Sequence, residues 1–143
     1  MRRFENQSVL ITAAASGLGL GVALRLADEG GDVTIWDRDK EAILSVEKHG
    51  RKNMHRLHFY AVDLTDGTAI SSALEELFER AGRIDVLVNN IGGSLHTPFK
   101  FLQQTDEDWQ RVFDINVTAF RVTALPIPLF PPVMTTVFSI DMI

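Results

Sequence analysis

Short apolar runs alternate along this chain with longer segments in which apolar residues recur every three or four positions. The short runs predict buried strands, and the longer segments predict amphipathic helices. The predicted strands are Val9–Ile11, Val33–Trp36, Leu57–Val62 and Asp85–Asn89. The first two predicted helices are Ser16–Glu29 and Asp39–Lys48. A third begins at a cap formed by Thr65 or Asp66 and ends at Gly82. A fourth begins near Thr105, which can form a capping box with Asp108.

Strands that alternate with helices predict a parallel sheet, because each right-handed crossover places its helix on one face of that sheet. We therefore expect an α/β fold with a doubly wound, three-layer, Rossmann-like arrangement and the strand order 3-2-1-4. The 143 residues are enough for one such domain.

The character of the chain changes after Arg121. Residues 122–140 carry no charge and include four of the five prolines. This segment approaches the length of a membrane span, but its prolines would break the helix that a span requires, so we expect no membrane partner. We predict one domain over residues 1–121 and an atypical proline-rich tail over residues 122–143, with a short edge strand at Met134–Ile140.

Composition excludes several classes of function. The net charge of −5 argues against a nucleic-acid partner, which would need a basic face. The absence of cysteine excludes disulfides and thiolate metal sites, and the four histidines form no pattern of metal ligands. Polar residues follow Arg2 and Arg3 where a signal peptide would be apolar, so we expect a cytoplasmic protein.

The turn between the first strand and the first helix is rich in small residues, in the order Thr12-Ala13-Ala14-Ala15-Ser16-Gly17-Leu18-Gly19. A strand that turns sharply into a helix presents free backbone N–H groups at the positive end of the helix dipole, which is a typical phosphate site. The G-x-G-x-x-G fingerprint does not fit, because Val22 stands where its third glycine belongs.

This spacing resembles the TGxxxGxG motif of the short-chain dehydrogenase/reductase family, with Ala13 in place of the first glycine. Further along, Asn89-Asn90-Ile91-Gly92 resembles the NNAG motif of that family, and Asn116 matches its helix asparagine. The resemblance covers Val9–Arg121. It implies that a nicotinamide dinucleotide is bound by Thr12, Ser16, Gly17, Leu18, Gly19, Asp37, Arg38, Asp63, Leu64, Asn90, Ile91 and Gly92, with no metal.

Two acidic residues follow predicted strands near this turn. Asp37 lies eighteen residues beyond Gly19, where a carboxylate can accept hydrogen bonds from the adenosine ribose and repel a 2′-phosphate. The neighbouring Arg38 would attract that phosphate, so we expect NAD and leave NADP open. The resemblance implies that Asp63 contacts the adenine amino group, and a simple turn residue is the alternative.

Asn116 falls within an apolar stripe of the fourth predicted helix, which we expect to be buried. A buried amide costs about 1–3 kcal/mol unless it is hydrogen-bonded. The resemblance implies a catalytic role in which Asn116 kinks the helix and supports a water in a proton relay, whereas a structural asparagine is the alternative. The stripe is Trp109, Val112, Phe113, Val117 and Phe120.

The resemblance also implies hydride transfer between the cofactor and a small carbonyl or alcohol substrate, with a tyrosine and a lysine spaced YxxxK as the acid/base pair. Here the chain departs from the family, because its one tyrosine, Tyr60, is followed four residues later by Leu64, and no lysine follows Lys100. Three possibilities stay open: an oxidoreductase chain that holds the cofactor-binding half and is catalytically incomplete, a non-catalytic NAD(P)-binding module, and a non-functional fragment. Homo-oligomerisation is also left open.

Overall fold

The computed structural model describes residues 2–49, 53–98 and 100–120 of the chain. The predicted tail over residues 122–143, with its strand at Met134–Ile140, lies outside the described residues, as does the end of the predicted domain at residue 121.

Within the described residues, four parallel strands form one sheet, and their order β3-β2-β1-β4 confirms the expected 3-2-1-4 arrangement. In the register of the sheet, Val9 of β1 lies opposite Val33 of β2 and Val86 of β4. The strands are β1 (Ser8–Thr12), β2 (Asp32–Asp37), β3 (Leu57–Ala61) and β4 (Val86–Val88).

In the part of the chain that the structure describes, four α-helices follow the strands at the predicted places. Side chains cap three of them: Asp39 accepts from the N–H groups of residues 41 and 42, Asp66 from those of residues 68 and 69, and Thr105 forms a capping box with Asp108. The helices are α1 (Gly17–Asp28), α2 (Lys40–Lys48), α3 (Gly67–Ala81) and α4 (Asp106–Phe113).

The sheet separates two apolar cores, because successive side chains of a strand point to opposite faces. Val9 and Ile11 of β1 pack in the core that contains the buried side chains of α1, whereas Leu10 packs in the core that contains those of α3. The structure is therefore the three-layer α/β fold that the hydrophobic pattern predicts.

The predicted orientation of the fourth helix is wrong. Trp109, Phe113 and Val117, expected to be buried, are 54%, 55% and 44% exposed, and the buried residues are Ile115 and Ala119 instead. At about 100° per residue, Phe113 and Val117 lie nearly opposite Ile115 around the helix axis. Ile115 and Ala119 therefore face the core, whereas Trp109, Phe113 and Val117 face outward.

Among the residues that the structure describes, no helix combines the length and the apolar character that crossing a membrane requires.

Candidate functional site

The carboxyl ends of the four parallel strands meet at one edge of the sheet, and a cavity of about 150 Å³ lies there. Ligands of open α/β folds bind at this edge. Six of the predicted site residues line the cavity: Asp37, Arg38, Asp63, Leu64, Ile91 and Gly92.

The N-terminus of α1 lies at the same edge and has no side-chain cap. Ser16 occupies the N-cap position, but its hydroxyl makes no capping hydrogen bond, and the first turn carries no acidic residue. The other three α-helices of the described chain all have side-chain caps. The first-turn N–H groups of α1, around Gly17 and Leu18, are therefore the ones left available to an anion.

A set of hydrogen bonds joins the turn after β1 to the end of β4. The Thr12 hydroxyl is fully buried and accepts from the backbone N–H groups of Asn90 (3.0 Å) and Ile91 (3.2 Å). The Asn90 side-chain amide donates to the carbonyl of Ala13 (2.7 Å). Since these groups bond to one another, the structure gives Thr12 and Asn90 a role in holding the turn in place.

Gly19 is needed where α1 passes this turn. A Cβ atom at Gly19 would lie 2.5 Å from the Asn90 amide nitrogen and 2.8 Å from the Ala13 carbonyl oxygen. A side chain there would push apart the helix and the loop, so the absence of a side chain at Gly19 is already explained by packing within the protein.

Asp37 is held by two backbone groups at the end of β2. Its Oδ2 accepts from the N–H of Ala15 (2.9 Å), and its Oδ1 accepts from the N–H of Asp39 (3.0 Å). An ionised carboxylate has about four acceptor sites, so each oxygen keeps a lone pair for a further donor. The side chain is thus both fixed and able to accept from a ligand in the cavity.

Asp63 forms a local turn after β3. Its Oδ1 accepts from the hydroxyl (2.7 Å) and the backbone N–H (2.9 Å) of Thr65. The hydroxyl bond, followed by the backbone bond, lowers the pKa of Asp63 below its usual range, and the positive charge of Arg38 adds to this effect. The turn and the cavity therefore share one ionised carboxylate.

Asn116 lies outside the lining of this cavity and is exposed, which corrects the expectation that it is buried. Its Oδ1 accepts from the N–H of Gly93 (3.0 Å), and its Nδ2 donates to the carbonyls of Gly93 (2.9 Å) and Val112 (2.8 Å). The helix changes here from α to a π-helical segment at Asp114–Thr118. Asn116 thereby joins the loop after β4 to α4.

Four further residues line the cavity that the sequence motifs did not indicate: Ala13, Val62, Leu95 and Ile115. Ala13 and Val62 adjoin predicted site residues, so their position next to the strand ends was a usable signal. Leu95 has a φ of 54°, a loop conformation that local sequence does not specify. Ile115 follows from the orientation of α4, which the periodicity does not determine.

Tyr60, the one tyrosine of the chain, lies in β3 and is half-buried. It packs against the core that contains the buried side chains of α3 and does not line the cavity.

Comparisons with known proteins agree with this fold. The chain is 35% identical over 127 residues to a 3-oxoacyl-(acyl-carrier-protein) reductase of Thermotoga maritima, covering 88% of this chain and 51% of the relative. It is 35% identical over 115 residues to the meso-2,3-butanediol dehydrogenase of Serratia marcescens, covering 80% and 44% respectively. The chain thus spans about half the length of the curated relatives it matches.

Solved structures give the same result. The structure of an NAD⁺-bound xylitol dehydrogenase superposes with a TM-score of 0.78 at 28% identity, covering 87% of this chain and 48% of that protein. A 3-ketoacyl-(acyl-carrier-protein) reductase from Brucella melitensis, complexed with NADH, superposes with a TM-score of 0.77 at 30% identity over 85% and 48%. The sequence profile of the short chain dehydrogenases matches residues 7–131, and the chain belongs to this family of oxidoreductases.

Proposed function

We propose that this chain binds a nicotinamide dinucleotide, with a preference for NAD, at the sheet edge described above. The observation that carries the proposal is that an uncapped helix N-terminus, suited to a diphosphate, lies at the same edge as a cavity that contains a fixed carboxylate, Asp37. The NAD⁺ and NADH bound to two similar structures support this interpretation.

The residues present fit such a ligand. The first-turn N–H groups of α1 would bind the diphosphate, and the free lone pairs of Asp37 would accept from the adenosine ribose. Asp63 is the acceptor for the adenine amino group, and the apolar side chains of Leu64 and Ile91 offer surfaces against the adenine ring. When bound, the cofactor supplies or accepts a hydride.

The preference for NAD depends on the charge of Asp37, which repels a 2′-phosphate. We expect Asp37→Asn to raise the Kd for NAD⁺ at least roughly tenfold, since a hydrogen bond to a charged group contributes about 1.5–3 kcal/mol. The Kd for NADP⁺ falls relative to that for NAD⁺. Titration calorimetry with both dinucleotides measures the change.

Glu75→Gln is the matched control, because it removes one negative charge from the exposed surface of α3. It leaves both affinities unchanged. A wild-type chain that binds NADP⁺ more tightly than NAD⁺ contradicts the role of Asp37, and a chain that binds neither contradicts the proposed function.

We further propose that these 143 residues alone do not catalyse hydride transfer at a useful rate. Reduction of a carbonyl needs a proton delivered to the developing alkoxide, and a positioned acid typically contributes a factor of about 10²–10⁴. Tyr60 is half-buried against a core of the protein and does not line the cavity. Leu64 stands four residues later, and the chain has no lysine after Lys100.

The assay follows NAD(P)H absorbance with a panel of ketones and alcohols, using protein free of host dehydrogenases. Cofactor binding without turnover is the expected result. Turnover that co-purifies with the chain and disappears in Asn116→Ala would show that another residue replaces the tyrosine.

A further inference from the structure

Ala13 has a backbone conformation that alanine rarely adopts. Its φ is 50°, in the left-handed region, where the side chain of an L-residue is strained and glycine is not. Four residues later the same turn uses a glycine, Gly17, at a φ of 55°. The turn therefore carries a methyl group at one of its two left-handed positions.

The surrounding structure holds Ala13 in this conformation. Its carbonyl accepts from the Asn90 amide at 2.7 Å, and the N–H of Ala15 donates to Asp37 at 2.9 Å. The preceding residue, Thr12, is fully buried and bonded to the loop after β4. Strained residues that their neighbours fix in this way cluster at functional sites.

Ala13 lines the candidate cavity together with Asp37 and Arg38. Its side chain is the single methyl group that a glycine at this position would lack. Asp37 and Arg38 carry opposite charges, so they have opposite effects on the binding of a phosphate. Asp37 repels it and Arg38 attracts it, so charge alone gives a small preference that salt would weaken. A steric group in the same space would discriminate at any ionic strength.

We propose that the Ala13 methyl group is a specificity element for the adenosine ribose, narrowing the cavity so that a 2′-hydroxyl is accepted and a 2′-phosphate is excluded. This inference rests on the proposed function, that is, on binding of a nicotinamide dinucleotide at this edge. It assigns to the strained side chain a role separate from the charge of Asp37.

The test measures the Kd of NAD⁺ and NADP⁺ for the full chain, at low and at high salt, in the wild type, Ala13→Gly and Ala13→Ser. One methyl or methylene group in a binding pocket changes discrimination by roughly 10–200-fold. We expect Ala13→Gly to shift the ratio of the two Kd values towards NADP⁺ by about tenfold at both salt concentrations. Ala13→Ser keeps the Cβ atom and therefore keeps the wild-type ratio.

Asn6→Gly is the matched control, since Asn6 also has a left-handed φ, of 62°, but does not line the cavity. It leaves the ratio unchanged. An Ala13→Gly chain that binds NAD⁺ with the wild-type ratio overturns the inference and leaves the proposed function intact. A wild-type chain that binds neither dinucleotide overturns both. A shift that vanishes at high salt also overturns the inference, because the effect would then be electrostatic.

Discussion

Two glycines of α1, only two positions apart, have opposite surroundings. A Cβ atom at Gly19 would lie 2.5 Å from the Asn90 amide nitrogen, whereas one at Gly21 would meet nothing within 4 Å. We expect Gly19→Ala to lower the free energy of unfolding by about 1–3 kcal/mol through overpacking. Gly21→Ala raises it by about 0.5–1 kcal/mol, because alanine loses less backbone entropy in a helix.

Thermal or urea unfolding of the two variants measures this contrast, and Gly21→Ala serves as the control for the substitution itself. Equal stability of the two variants would show that the Asn90 side chain and the backbone of the turn at Ala13 both move away from α1 without loss. The prediction also separates packing from ligand binding, since it requires no cofactor.

Glu29 joins the end of α1 to the N-terminal segment. Its nearly buried carboxylate accepts hydrogen bonds from Arg3 and from Arg25 in the last turn of α1. The hydrogen bond from Arg3, together with the bond from Arg25 and both positive charges, outweighs the burial of the carboxylate and lowers the pKa of Glu29 to about 2.

Because the pKa of Glu29 is lower in the folded than in the unfolded protein, its contribution to stability is complete above the ordinary value of 4.5 and is lost as pH falls towards about 2. We expect Glu29→Gln to lower the Tm at pH 7 and to approach the wild-type Tm over this acidic range. Glu5→Gln is the control, because Glu5 is a more exposed carboxylate that pairs with Arg2. This substitution has little effect on the Tm, both at pH 7 and in the acidic range. A Tm difference that does not change with pH would contradict the assigned pKa.

Elements whose signals are local could be predicted from the sequence. The apolar run of β1 and the capping groups Asp66 and Thr105 act on their own backbone neighbourhood, and the structure confirms them. The orientation of α4 could not be predicted, because apolar residues occur on two of its sides. The hydrophobic period shows that a helix forms, but the packing of the assembled protein decides that Ile115 and Ala119 face inward.

In the candidate site too, some features could be predicted from the sequence and others depend on tertiary packing. That Asp37, Asp63 and Asn90 come to one edge follows from strand ends in a parallel sheet, which the sequence pattern indicates. The bonds that these side chains make were not predictable. Asp37 holds the N–H of Ala15, twenty-two residues earlier, and such a contact is fixed only when the whole sheet has assembled.

The four segments that follow the strands form the site together, although they are distant in sequence. The turn after β1 bonds both to the end of β2 and to the end of β4. Any change that separates these strand ends is therefore expected to affect the helix N-terminus and the cavity at once.

Five large apolar side chains are exposed on α4, on the turn before it and on the segment after it, and they define one apolar surface: Phe101, Leu102, Trp109, Phe113 and Val117. The rings of Phe101 and Trp109 are in edge-to-face contact with their centroids 6.1 Å apart. Exposed apolar patches that bring several large side chains together are typical of interaction surfaces. We expect the chain to self-associate in solution through this surface.

Sedimentation velocity over a range of protein concentrations tests this expectation. Phe113→Glu places a charge within this surface and should shift the chain to monomer, because burying an unpaired carboxylate is unfavourable. Leu44→Glu is the matched control: Leu44 is a comparably exposed apolar side chain on α2, outside this surface, and its substitution leaves association unchanged. A wild-type chain that stays monomeric at all concentrations contradicts the prediction. Association that persists in Phe113→Glu would show that the contact involves another surface. The edge of β4 is then the next surface to test, because among the described residues β4 pairs only with β1.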